Sequence, residues 1–67
     1  MKQIVVGFQV EIDSNIDYKK LSDRQLHEIA LSTEDAVIYD SPKDFFAELN
    51  NDFVDTENMY WFLININ

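Results

Sequence analysis

One histidine, thirteen carboxylates and no cysteine bound the chemistry open to this 67-residue chain. His27 is the one side chain whose ordinary pKa lies near neutrality. As a general base it would need a nucleophile in reach and a third group to orient its ring. It falls beside Glu28 on the flank of a predicted helix, where a solvated surface histidine is the expected reading. Asp52, Asp55 and Glu57, with Asn50 and Asn58, offer oxygens of the kind calcium takes. An EF-hand loop, however, sets its ligands at alternate positions around a central glycine. This segment has neither feature and is expected to be a solvated acidic loop. Carboxylate pairs occur all along so acidic a chain and single out no acid–base couple. Gly7 is the only glycine, so no glycine-rich loop can cradle a phosphate. The absence of cysteine excludes disulfides and thiolate metal sites and fits a cytoplasmic protein. No enzyme, cofactor or metal is expected.

The element that must organise the rest is the run Met59-Tyr60-Trp61-Phe62-Leu63-Ile64-Asn65-Ile66-Asn67. Aromatic and β-branched residues at this density predict a strand. Alternation puts Tyr60, Phe62, Ile64 and Ile66 on one face and Met59, Trp61 and Leu63 on the other. A strand with one wet face would be polar at the second set. Something therefore covers Trp61 and Leu63, either another part of this chain or another chain. The run is too short for a membrane helix, which needs about 20 apolar residues. Residues 1–7 lack the continuous apolar block of a signal peptide.

A second predicted strand runs from about residue 3 to 12, with Ile4, Val6, Phe8, Val10 and Ile12 on its core face. Its other face is polar apart from Val5. Gly7 on that face is read as a bulge, a close backbone approach, a gap beside Trp61 or a tolerated surface glycine. Ser14 to Asp17 breaks the strand, with the Ser14/Asp17 spacing able to cap one turn through Lys20. Ile16 and Leu21 are expected to point inward.

Two helices are signalled. Ser22 with Gln25 forms a capping box, Leu21 and Leu26 have the spacing of a hydrophobic staple, and Asp23 suits the positive end of the dipole. Leu26, Ile29, Ala30 and Thr33 recur at helical spacing, giving a helix over about 23–32. Ser41 caps the second helix, Pro42 takes its first position and Asp44 its capping-box position. Phe45, Phe46 and Leu49 form its expected core stripe, with Phe53 beyond. Asn50 and Asn51 end it, asparagine tolerating the left-handed cap conformation. Between the helices, residues 36–39 (Ala-Val-Ile-Tyr) are β-prone and read as an extended segment that either pairs as a brief third strand or crosses the core.

The net charge of −8 is unevenly placed. Lys2, Lys19, Lys20 and Arg24 cancel Glu11, Asp13, Asp17 and Asp23. Beyond Arg24 only Lys43 answers Glu28, Glu34, Asp35, Asp40, Asp44, Glu48, Asp52, Asp55 and Glu57. Such a surface repels nucleic acid and anionic membrane and attracts basic partners. The acidic stretch has two readings: solubility for a small protein with a sticky face, or mimicry of nucleic-acid charge that blocks a basic protein.

The pieces Leu21-Ser22-Asp23, Val37-Ile38-Tyr39, Phe45 to Asn51 and Tyr60 to Ile64 resemble small uncharacterised acidic bacterial proteins of similar length. In those, a Ser-Asp-led helix is followed by a valine-tyrosine step, a second helix ending in an Asn-Asn pair and an aromatic C-terminal strand. The resemblance covers the last two-thirds of the chain and implies no activity and no site residue.

The sequence thus predicts a single α+β domain, two helices packed on one face of a two- or three-stranded sheet, in the order β-α-(β)-α-β. The opposite face is expected to stay bare, with Val5, Met59, Trp61 and Leu63 on it. An exposed apolar patch with a tryptophan marks an interaction site. The expected function is a non-enzymatic protein–protein interaction module, homodimeric through that face. The alternative is an inhibitor that sequesters a basic DNA- or RNA-handling protein through Glu34, Asp35, Asp44, Glu48, Asp52, Asp55 and Glu57.

Overall fold

The structure, a computed structural model, describes residues 2–9, 15–52 and 54–66. The elements run β1 (Lys2–Gln9), a 3-10 turn (Tyr18–Lys20), α1 (Asp23–Ser32), β2 (Val37–Tyr39), α2 (Pro42–Asn50) and β3 (Met59–Ile66). The expected residues Val10, Glu11, Ile12, Asp13, Ser14 and Phe53 lie outside the described ones.

Among the described residues the fold is α+β, with two α-helices and a three-stranded antiparallel sheet in the order β2-β1-β3. Residues 37–39 do pair: Val5 stands opposite Tyr39, Val6 opposite Ile38 and Gly7 opposite Val37. β1 pairs β3 along its whole length, from Lys2 opposite Ile66 to Gln9 opposite Met59.

The first face of the sheet carries the core. Ile4, Val6, Phe8 and Ile64 meet Leu26 and Ala30 of α1, all nearly inaccessible to solvent. Leu21, Ile29, Ile38, Phe62 and Ile66 pack round them. Tyr18 stacks on Phe8 with ring centroids 4.6 Å apart and planes 11° apart.

α1 begins where the sequence says it should. Ser22 Oγ accepts from the Gln25 amide at 3.3 Å, and the Ser22 amide donates to Gln25 Oε1 at 3.0 Å. Ser41 Oγ accepts from the Asp44 amide at 3.3 Å, with Pro42 in the first turn of α2. The 3-10 turn is capped by Asp17, whose carboxylate accepts from the Lys19 amide at 3.2 Å.

Three expectations are corrected. The helices do not share a face. α1 covers the Ile4-Val6-Phe8 side, while Phe45 of α2 lies against Tyr39 and Trp61 on the other. β2 and β3 are each antiparallel to β1 and so run parallel to one another, which makes α2 a crossover connection over β1, and it crosses on the side that α1 leaves free. Phe46, expected in the core, is 57% exposed, because consecutive helix residues point about 100° apart and Phe45 takes the inward direction. Ile16, expected inward, is 48% exposed.

The end of α2 also differs in detail. Asn51 is the C-cap with φ −97°, and the left-handed residue is Asp52 at φ 59°. Asparagine and aspartate share this tolerance because their short side chains bond locally. Asn51 Nδ2 donates to the Ala47 carbonyl at 3.1 Å.

Candidate interaction surface

The second face is built from Val5 and Gly7 of β1, Tyr39 of β2, and Trp61 and Leu63 of β3, since residues opposite one another in an antiparallel pair share a side. Trp61 is the keystone. Its indole lies on the Gly7 backbone: a Cβ added at Gly7 would sit 2.5 Å from Trp61 Cε3 and 2.8 Å from Cη2 and would also collide with Cζ3. Gly7 is thus a close-approach glycine, one of the options left by its place in the sequence.

Phe45 closes over the indole at a centroid distance of 5.0 Å, Tyr39 at 6.1 Å, and these two meet edge-on at 5.7 Å. The indole Nε1 donates to the Asp55 carbonyl at 3.3 Å. Asp55 in turn organises the approach to β3. Its Oδ1 accepts from the backbone amides of Glu57 and Asn58, each at 3.1 Å, and its Oδ2 from Asn58 Nδ2 at 2.9 Å. The Asn58 side chain, foremost among these donors, lowers the Asp55 pKa. This carboxylate, of a type calcium takes, therefore holds its own turn, and through that turn the indole.

These contacts redistribute the expected surface. Val5 is 5% exposed and forms a floor. Met59 and Trp61 are half-buried, and Leu63 is 57% exposed. Pro42, Phe45 and Phe46 of α2 join Val5, Trp61, Phe62 and Leu63 round an apolar depression of about 220 Å³. The sequence places Phe46 in the core stripe and Pro42 at the helix start, and neither is legible there as a surface residue, because an apolar stripe does not say which side of the sheet it meets. The signal was the Phe45-Phe46 pair itself, whose members cannot both face one core.

The acidic residues lie outside this depression. Glu34, Asp35, Asp44, Asp52, Asp55 and Glu57 are exposed, and Glu48 is half-buried. The Glu48 carboxylate lies near Tyr39, whose pKa is raised first by burial and then by that negative charge. Among the described residues the ion pairs are Lys20–Asp17 and Arg24–Glu28, both on exposed side chains, and the acids of residues 34–57 enter neither.

Among the described residues no three His, Cys, Asp or Glu side chains gather as metal ligands. No helix of the described residues is long and apolar enough to cross a membrane. His27 is half-buried and lines a shallow cleft with Arg24, Asn65 and Ile66, none of which is a nucleophile. Comparison with family models, with curated proteins and with solved structures found no match to this chain.

Proposed function

We propose that this protein is a non-enzymatic interaction module of the cytoplasm whose partner is a second copy of itself, docked on the face of the sheet that holds Trp61. The observation that carries this reading is the pairing of Leu63 and Phe46, each 57% exposed, on the rim of one apolar depression. Two large side chains left this open beside a half-buried tryptophan gain by meeting a second apolar surface.

The magnitude is modest. Full burial of a Leu or Phe side chain is worth about 1.5–3 kcal/mol. Burying the remaining half of each, on both protomers of a symmetric pair, supplies roughly 3–6 kcal/mol before the cost of association. The self-association is accordingly no tighter than tens of micromolar, about 40 μM for the full 6 kcal/mol. The test is Leu63→Asp and Phe46→Asp, each examined by sedimentation. Both side chains are exposed, so the fold should persist by circular dichroism while the assembly falls to monomer. Unchanged assembly in both variants would remove the reading.

A second reading is supported by the carboxylates of residues 34–57, which enter no ion pair among the described residues: an acidic decoy for a basic nucleic-acid-handling protein. It requires that binding to such a protein be competed by DNA and abolished by salt. Binding that ignores both would exclude it.

A further inference from the structure

Among the described residues, the outer edge of β3 carries a single device that discourages pairing, the Asp23 carboxylate at one end. Exposed edge strands are normally blunted by lysine, proline, a bulge or a covering element. From Met59 to Ile66 there is no charged side chain, no proline and no glycine. The orientation of its backbone follows from one hydrogen bond. The Asn65 amide donates to Asp23 Oδ2 at 2.9 Å, and so points away from β1. Gln3 and Asn65 are therefore a non-hydrogen-bonded pair. Because such pairs alternate along an antiparallel ladder, Leu63 opposite Val5 and Trp61 opposite Gly7 are non-bonded pairs too. The amides and carbonyls of Trp61 and Leu63 face outward, and among the described residues no group answers them. Asp23 plugs one end of this row and leaves its middle open.

We propose, building on the self-association above, that the second copy adds to this edge: β3 against β3, antiparallel, about a twofold axis at Phe62. In that register Trp61 exchanges both backbone hydrogen bonds with Leu63 of the partner subunit, and Leu63 with Trp61 of the partner subunit. The two exposed leucines then pack beside the partner's indole, and the apolar depressions of the two copies become neighbours. The occupant is a second copy rather than a basic segment because the strand carries no carboxylate to attract a cation. Its neutral strip is instead the place where two chains of charge −8 can meet with least repulsion. At each end of the pairing Asp23 of one copy approaches Glu57 of the other, so salt strengthens the assembly.

Amide hydrogen exchange on the intact chain tests this directly, read by NMR at concentrations above and below the midpoint of association. The Trp61 and Leu63 amides are expected to exchange at least about tenfold more slowly in the assembled state. The Phe62 and Ile64 amides, bonded to β1, should change far less. An assembly that forms while Trp61 and Leu63 exchange as fast as in the monomer would overturn edge pairing and leave face-to-face docking standing. A chain that stays monomeric throughout would overturn both. Slow exchange of Trp61 and Leu63 at every concentration would mean that the chain covers its own edge, and would also overturn the proposal.

Discussion

Gly7→Ala isolates the contact on which the second face depends. The added methyl would stand 2.5 Å from Trp61 Cε3 and 2.8 Å from Cη2, far inside the roughly 3.5–4.0 Å at which carbon atoms rest. The indole has little freedom to retreat, because Phe45 and Tyr39 lie against it and Nε1 is tied to the Asp55 carbonyl. Overpacking a fixed side chain costs about 1–3 kcal/mol. Replacing a strand glycine by alanine returns roughly 0.5–1 kcal/mol of chain entropy. The midpoints of these ranges leave a net loss of about 1 kcal/mol. A domain of this size loses about 4–8 °C of Tm per kcal/mol, so melting should fall by about 4–8 °C. The assay is urea and thermal unfolding, followed by the fluorescence of the single tryptophan and by circular dichroism. A cycle with Trp61→Leu sharpens it. With the indole gone, Gly7→Ala should be neutral or stabilising, so the coupling between the two positions is at least about 1 kcal/mol. Gly7→Ala at full stability in the wild-type background would show that the indole does not rest on β1.

Two further outcomes follow from local geometry. Ser22→Ala removes the acceptor for the Gln25 amide and should cost about 1 kcal/mol in urea unfolding, with Ser22→Asp restoring most of it. Tyr39 should titrate above the ordinary tyrosine value in an ultraviolet pH series, because burial and Glu48 both disfavour its phenolate. Its folded-state pKa exceeds the unfolded value of about 10. Its contribution to stability is therefore complete below about pH 10 and is lost as pH rises through the folded pKa. Glu48→Gln should bring the Tyr39 titration part of the way back, and an unchanged curve would place that carboxylate too far off to matter.

Much of the fold could be read from local chemistry. Ser22-Gln25 and Ser41-Pro42 mark helix starts through hydrogen bonds made within one turn, and those need no tertiary information. The alternation in Ile4-Val6-Phe8 and Phe62-Ile64-Ile66 fixed the core face for the same reason. What was not legible depended on distant packing. β2 is three residues long, too short for a periodic signal, and pairs only because β1 offers it an edge. The stripe of α2 is apolar whichever side of the sheet it meets. Only the tertiary arrangement, with β1 at the centre of the sheet and α1 on the other face, assigns it to Trp61. The fate of Trp61 followed from that: an indole expected on an open surface is half-buried as the centre of a second, thinner core. Leu63 and Phe46, side chains that carry no special chemistry, are left as the exposed pair. The Asp55 turn is hidden for a different reason. Its acids have the composition of a cation site, while the spacing to Asn58 is that of an aspartate bonding its own backbone.

The most direct measurement is sedimentation equilibrium of the wild-type chain from about 10 μM to about 1 mM, the range in which a weak self-association must declare itself. A mass rising from the 7.9 kDa of one chain toward twice that value, and rising further when salt is added, is the expected result. A constant 7.9 kDa across the range, at low and high salt alike, would contradict a docking role for the Leu63–Phe46 face.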